Sequence, residues 1–166
     1  MKLPHWVVVV SLLCSTVPGI AQTGITSHRL GDGSGEDWEP AILVDGSHVY
    51  AFWPHYLPTT LLDSSGATCM PFKGAGKHTT SSYMYFQSSS DGGNTWGPVT
   101  IPRCPVQGNN VDAQLALGPN HRIYAGYMDG NTQYTPIEVI HSDDFGVTWS
   151  APVDVTNGGR GDKDIV

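Results

Sequence analysis

An eight-residue pattern that occurs twice constrains this chain more than any other feature. It spans residues 89–96 and residues 142–149, and both copies read S-x-D-x-G-x-T-W. An Asp in such a pattern can accept hydrogen bonds from backbone amides, and a Gly can adopt positive φ. The Thr and Trp that follow favour an extended strand. Each octet therefore predicts a tight turn that leads into a strand.

Short runs rich in Val, Ile, Tyr and Trp surround both octets in the same order, and we find no convincing amphipathic helix. The first unit has predicted strands at 38–45, 48–53, 83–88 and 96–101, and the second has them at 112–117, 122–127, 137–141 and 149–155. A four-stranded unit that repeats is typical of propeller blades.

The two octets resemble the Asp-box, or BNR, repeats of the sialidase-like β-propeller family. In that family the box closes the turn between the third and fourth strands of a blade, away from the central pocket. The resemblance implies an all-β fold with two four-stranded Asp-box blades and the start of a third, which is an incomplete sialidase-like β-propeller. It also implies a structural role for the repeated residues, namely Ser89, Asp91, Gly93, Thr95, Trp96, Ser142, Asp144, Gly146, Thr148 and Trp149.

The chain divides into five predicted parts. These are a signal peptide at 1–21, a flexible connecting segment at 22–37, a first blade at 38–103 with an insertion at about 54–80, a second blade at 104–157, and the start of the next blade at 158–166. A lipoprotein signal at Cys14 is the weaker alternative to secretion, because Leu13 is larger than lipid attachment prefers. Since propellers close with four to eight blades, we expect missing blades or another copy of the chain to complete the ring.

Composition narrows the partners. The net charge is −7 and the few Lys and Arg residues are scattered, so a nucleic-acid partner is not expected. The apolar run in the leader is too short to span a membrane. No cofactor motif is visible, and no His or Cys spacing suits a metal. Cys69 and Cys104 are 35 positions apart and favour a disulfide in an oxidising compartment, with two free thiols as the alternative.

Candidate catalytic residues are few. Sialidases use an arginine cluster, a Tyr and Glu pair and an Asp, yet Arg29 is the only arginine ahead of the first blade and lies in no Arg-Ile-Pro motif. Asp37 and Glu39 could form a hydrolytic carboxylate pair, or they could be solvated acids before a strand. With Arg29 they are the weak catalytic candidates. The sequence therefore supports the fold better than it supports sialidase activity.

Topology suggests a binding face opposite the octet turns, where the insertion and the starts of the inner strands would meet. The residues predicted there are His55, Tyr56, Asp63 and Asp112. The aromatics Trp38, Trp53, Tyr56 and Tyr127 could stack on sugars, although aromatic residues in strands more often belong to a core. Two functions remain open. One is exo-glycosidase activity of a longer parent protein, and the other is a non-catalytic propeller that binds a glycan or a protein.

Overall fold

The computed structural model describes residues 29–33, 35–57, 60–69, 81–106, 109–130 and 135–157. The predicted signal peptide, residues 22–28 of the connecting segment, residues 70–80 of the insertion and the predicted start of a third blade lie outside the described residues. Within the described ranges the chain has ten strands, one 3-10 turn and no α-helix. The prediction of an all-β fold is thus confirmed.

The strands are numbered in chain order. They are β1 (Glu36–Asp37), β2 (Ala41–Asp45), β3 (His48–Leu57), β4 (Leu61–Leu62), β5 (Thr68–Cys69), β6 (Ser81–Ser89), β7 (Asn110–Leu117), β8 (Ile123–Asp129), β9 (Ile137–Ser142) and β10 (Val153–Asp154). The 3-10 turn at Pro119–His121 joins β7 to β8.

The first sheet is built around β3, which pairs along its whole length with β6 in antiparallel register. The opposite edge of β3 is shared by two strands, because β2 pairs with its first half and β1 pairs with His55 and Tyr56 near its end. The sequence analysis predicted the β2–β3 hairpin and the β6 strand, but not β1. The edge of β3 is therefore covered further toward its carboxyl end than the pattern indicated.

The second sheet has the order β10-β9-β8-β7, and all of its neighbours are antiparallel. A bulge between Val111 and Gln114 interrupts the pairing of β7 with β8. The strands follow chain order across the second sheet, and β2, β3 and β6 lie in the same order in the first sheet, where β1 is added beside β3. This order is expected for two copies of one meandering unit.

The outermost strand of each unit is shorter than predicted. After the first octet, residues 96–101 form only a bridge between Phe86 and Thr100, supported by a hydrogen bond from Gly97 N to Ser88 O. After the second octet, regular pairing is confined to β10. Proline follows each octet, and it lacks the N–H that a continuous ladder needs.

The main core lies between the two sheets, and side chains that alternate along the strands supply it. The first sheet contributes Tyr50, Phe52, Met84 and Phe86. The second sheet contributes Ala113, Ile123, Ala125, Tyr127 and Ile140, and the second octet contributes Trp149. The other face of the first sheet carries a second buried cluster that includes Ala51, Trp53, Tyr83 and Tyr85. Since β3 and β6 are buried on both faces, their sequences read as nearly unbroken apolar runs.

A small hairpin covers that second cluster. It is formed by β4 and β5 inside the predicted insertion, and it is joined to the chain after the first sheet by a disulfide between Cys69 and Cys104, whose Cα atoms are 5.0 Å apart. Cys69 is buried in the cluster. In the described ranges, no helix has the length and apolar character needed to cross a membrane.

Candidate functional site

The end of the two sheets that lies away from the octet turns is formed by strand ends that meet side by side. Glu36 in β1 is opposite Tyr56 in β3, Tyr56 is opposite Ser82 in β6, and Ser82 bridges to Asn109 just before β7. We call this end the upper rim, and define it by Glu36, Trp38, Glu39, Tyr56, Ser82, Asn109, Asn110 and Asp112. Two sheets and the segment between β1 and β2 therefore contribute to one surface.

Tyr56 lies at the centre of the upper rim, within electrostatic reach of three carboxylates. Burial raises the pKa of its phenol above the usual value, a hydrogen bond with Ser82 opposes this rise, and the charges of Glu39, Asp112 and Glu36 raise it further. A phenol is protonated at neutral pH even without these effects, and the upward shift opposes formation of the phenolate further. The rim thus presents a hydroxyl donor beside negative charge.

Trp38 adds an aromatic surface beside this group. Its ring meets that of Tyr56 edge to face at 6.1 Å between centroids, and its backbone N–H donates to the carbonyl of Pro54. The residue is 55% exposed, whereas Trp53 and Tyr127 are buried. The expectation that strand aromatics belong to the core therefore holds for Trp53 and Tyr127 but not for Trp38.

Two acidic residues near Tyr56 in space, Glu39 and Asp112, have an unusual backbone conformation with positive φ. Glu39 has φ of 38° and Asp112 has φ of 59°, which is the left-handed region that favours glycine. Asp112 lies in the bulge of β7, and a bulge redirects the side chains next to it. This local geometry brings Asp112 within electrostatic reach of Tyr56 from the other sheet.

Asn110 is the first residue of β7 and follows Asn109, which bridges to Ser82 of β6. Its side chain is fully buried, and neither its amide nitrogen nor its amide oxygen has a hydrogen-bond partner among the described residues. An unpaired buried amide costs about 1–3 kcal/mol for each unmade bond. Sequence reasoning missed Asn110 and Ser82, because small polar residues at strand ends carry no pattern of their own.

Asp37 has different partners from Glu39. One of its carboxylate oxygens, Oδ1, accepts a hydrogen bond from Trp53 Nε1 at 2.7 Å and lies 2.7 Å from His55 Nδ1. The His55 ring is buried, stacks on Tyr85 at 4.1 Å, and has no described partner for Nε2. Asp37 and His55 thus join β1 to β3 on the outer face of the first sheet, away from Tyr56.

The remaining predicted residues lie elsewhere. Asp63 begins the turn of the small hairpin, where it accepts hydrogen bonds from the backbone N–H groups of Ser65, Ala67 and Cys104. Burial works against ionisation of Asp63, but these bonds with that from the Ser65 hydroxyl hold its pKa below the usual value. Arg29 is exposed and lies close to Gly33. The structure therefore does not bring Asp63 together with Tyr56 and Asp112.

A concavity lies on the outer face of the first sheet, between the connecting segment, the small hairpin and residues 98–101. It is an open cleft of about 630 Å³, with Asp32, Leu61, Tyr85 and Gln87 among its lining residues. The cleft contains acceptors already engaged by the protein, since Gln87 Oε1 accepts from Gly31 N and Asp32 Oδ2 accepts from the Tyr85 hydroxyl. Among the described residues that line the cleft, none has a buried side-chain polar atom without a hydrogen-bond partner, whereas Ser82 and Asn110 of the rim do.

The two octets fold into turns with the same hydrogen bonds. Ser89 Oγ accepts from Gly93 N, and Asp91 accepts from both the backbone N–H and the hydroxyl of Thr95. Ser142, Asp144, Gly146 and Thr148 repeat these bonds in the second turn. The bonds from Thr95 and Ser89 lower the pKa of Asp91 to about 2. Both carboxylates are therefore occupied in closing turns at the end opposite the rim.

Among the described residues, no three His, Cys, Asp or Glu side chains are grouped to hold a metal ion. The rim acids Glu36, Glu39 and Asp112 raise the pKa of the Tyr56 phenol, and the exposed indole of Trp38 packs against the same phenol ring. A cluster of this kind can hydrogen-bond and stack against a polyhydroxylated ligand.

Comparisons with known proteins agree on the fold. No family model and no curated protein matches the sequence. Among solved structures, the chain is similar to a predicted glycoside hydrolase from Parabacteroides distasonis, with a TM-score of 0.50 and 12% identity over 76% of this chain and 37% of that one. It is also similar to a protein of unknown function from Dyadobacter fermentans, with a TM-score of 0.52 and 23% identity over 73% of this chain and 37% of that one.

These likenesses concern the fold alone, and they show an all-β, propeller-like fold for this chain. The chain spans a little over a third of the length of the structures it matches, at 37% in both cases. Identities this low relate the folds and leave the chemistry to be argued from the rim.

Proposed function

We propose that this chain is the glycan-binding part of a secreted, sialidase-like propeller of the exo-glycosidase type. The octet turns are its Asp-boxes, the two sheets are its blades, and further blades complete the ring. The observation that carries the proposal is the convergence of an exposed tryptophan and three carboxylates on Tyr56 from two different sheets. Sugar sites commonly combine an aromatic platform with acceptors for hydroxyl groups, which is the combination found here.

Hydrolysis of a terminal sugar needs one carboxyl group as general acid and a second carboxylate as nucleophile or base. Glu39 and Asp112 are the best placed pair, because the charges of both act on Tyr56, one from the segment between β1 and β2 and the other from β7. Asp37 does not belong to this pair, because it lies on the outer face of the first sheet, where Trp53 and His55 engage the same oxygen of its carboxylate. Tyr56 does not suit the role of a sialidase nucleophile, because its raised pKa opposes formation of the phenolate.

The alternative is a propeller that binds a glycan or a protein without hydrolysing it. The contacts of the Asp37 carboxylate with Trp53 and His55 favour this alternative. They separate Asp37 from Glu39, and the sequence analysis had considered these two acids as a hydrolytic pair. The two functions share the same rim and differ in whether Glu39 and Asp112 act on a glycosidic bond.

The test compares rim variants with a matched acid at the other end of the sheets. Glu39→Gln and Asp112→Asn each remove one rim charge, while Asp143→Asn removes an exposed carboxylate that pairs with Arg122 beside the second turn. We expect the wild type and Asp143→Asn to retain the same sugars on a glycan array and both rim variants to lose at least tenfold in affinity. Unchanged binding by the rim variants, or no glycan retained by any protein, would contradict the proposal.

A panel of 4-nitrophenyl glycosides then separates the two functions. Release of nitrophenol by the wild type and by Asp143→Asn, with a loss of at least a hundredfold in either rim variant, identifies an exo-glycosidase. Binding on the array without turnover of any glycoside identifies the non-catalytic propeller.

A further inference from the structure

We propose that the attachment of β10 to β9 responds to pH. Strand β10 is held firmly while Glu138 carries a proton, and it loosens when Glu138 and Asp154 are both ionised. This behaviour concerns the outer edge of the second sheet and does not depend on the proposed function. It follows from the strand register and from a buried carboxylate oxygen that has no role at the rim.

The register of β9 and β10 places two acids directly opposite each other. Glu138 of β9 pairs with Asp154 of β10 in an antiparallel ladder. Val155 N donates to Ile137 O, which makes the next pair along the ladder a hydrogen-bonded one. Pairs alternate in an antiparallel ladder, so Glu138 and Asp154 form a non-hydrogen-bonded pair, in which side chains approach more closely. Like charges directly opposite each other destabilise such a pair.

The Glu138 side chain lies where hydration is reduced. Glu138 is also opposite Tyr127 of β8, which is buried in the main core between the sheets. Its carboxylate oxygen Oε2 is buried and has no hydrogen-bond partner among the described residues. Burial raises the pKa of Glu138 above its ordinary value of 4.5, and the charges of Asp129 and Asp154 raise it further. The register and the buried oxygen thus agree that ionisation of Glu138 is disfavoured in the folded ladder.

Arg103 is a described cation that acts on this group of residues. Its charge partly opposes the rise in the pKa of Tyr127, and its guanidinium donates to the backbone carbonyls of Trp149 and Ser150. The charges that act on Glu138, in contrast, are those of acids. The repulsion between the two opposite carboxylates is therefore not offset by this arginine.

The other described charges are held elsewhere. Arg29 lies close to Gly33 in the connecting segment, and Arg122 pairs with Asp143 beside the second octet turn. His141 belongs to β9, but it lies an odd number of positions from the acid pair and is therefore on the opposite face of the strand. Histidine titration on that face does not place a charge against the acid pair.

Asp154 keeps partners of its own. Its Oδ1 accepts hydrogen bonds from the backbone N–H and the hydroxyl of Thr156, which hold the carboxylate in place. A protonated Glu138 can donate a hydrogen bond to a carboxylate, whereas an ionised Glu138 can only accept. Because the pKa of Glu138 is raised on folding, its contribution to stability is complete below about pH 4.5 and is lost as the pH rises through the raised pKa.

Amide hydrogen exchange followed by NMR between about pH 5 and pH 8, corrected for the intrinsic exchange rate, tests this behaviour. The Val155 N–H is the reporter, because it bonds to Ile137 O across the ladder. We expect its protection in the wild type to fall by about fivefold or more over this range. The Thr100 N–H is the internal control, since it bonds to Phe86 O in the first unit, where residues 97–101 contain no acid. Its protection should stay within about twofold.

Three variants assign the effect to the acid pair. Glu138→Gln should leave the protection of Val155 constant within about twofold across the pH range. Asp154→Asn, at an exposed position, should weaken the pH dependence as well and serves if Glu138→Gln does not fold. Asp143→Asn removes a charge elsewhere and should behave as the wild type. Constant or rising protection of Val155 with pH in the wild type, an equal fall at Thr100, or a dependence that persists in both pair variants would overturn the inference.

Discussion

Removing the disulfide between Cys69 and Cys104 should lower the free energy of unfolding by about 4 kcal/mol. The bridge closes a loop of 35 positions, and on the chain-entropy model such a loop removes roughly 13 cal/mol/K from the unfolded ensemble, or about 4 kcal/mol at 25 °C. Alanine is the better replacement at both positions, because Cys69 is buried among apolar side chains and a serine hydroxyl there would need a partner.

The folded position of the small hairpin should survive the loss of the bridge, because other contacts tie the same segments together. Asp63 accepts a hydrogen bond from Cys104 N, and Ser64 donates to the carbonyls of Ile101 and Pro102 through its backbone N–H and its hydroxyl. The stabilisation is therefore expected to act through the unfolded chain rather than through the folded contacts.

Two independent measurements check this reasoning. Thiol labelling of the unfolded wild type before and after reduction shows whether the bridge exists, and urea unfolding followed by tryptophan fluorescence gives its contribution. The reduced wild type and the variant with both cysteines replaced by alanine should lose similar free energy. A change below about 1 kcal/mol would refute the entropy argument, and loss of amide protection at Ala67 without a change in global stability would refute the claim about folded contacts.

Two further predictions concern the turns. Gly146 and Gly93 have nearly equal positive φ, at 88° and 87°, but a Cβ at Gly146 would lie 2.1 Å from the Phe86 ring. Gly146→Ala should therefore lower the free energy of unfolding by about 1–3 kcal/mol more than Gly93→Ala does, as measured by urea unfolding. Equal losses in the two variants would contradict this reasoning. The hydrogen bonds from Thr95 lower the pKa of Asp91 to about 2, below the ordinary value of 3.8. Its stabilising effect is therefore present above about pH 4 and lost as the pH falls through 2, and Asp91→Asn should flatten the stability curve between those values, whereas parallel curves would count against the assignment.

The sequence predicted most where a local pattern determines a local structure. The octets contain the acceptors, donors and glycines that close their turns, and the same bonds form at Asp91 and Asp144. The all-β fold follows from the alternation of short strands and turn residues. The outermost strand of each unit was predicted to be longer than it is, because β-favouring side chains after a proline do not restore the missing backbone donor.

The candidate site was less predictable because its parts come from distant positions in the chain. Tyr56 and Asp112 were both expected on one face, but their proximity depends on how two sheets pack and on a bulge in β7. The exposure of Trp38 depends on the pairing of β1 with the end of β3, which no pattern indicated. The separation of Asp37 from Glu39 likewise depends on which face of β3 each acid meets.

The backbone of the rim gives a final reason to connect its acids with function. Glu39 and Asp112 are held at positive φ, as are Phe145 in the second octet turn and Asn120 and His121 in the turn between β7 and β8. A residue with a side chain costs about 1–2 kcal/mol more than glycine there. Strain of this kind persists where a side chain is needed in one place, and functional sites are where it concentrates. The carboxylates of Glu39 and Asp112 are thus held at a cost in stability that glycine at the same two positions would avoid.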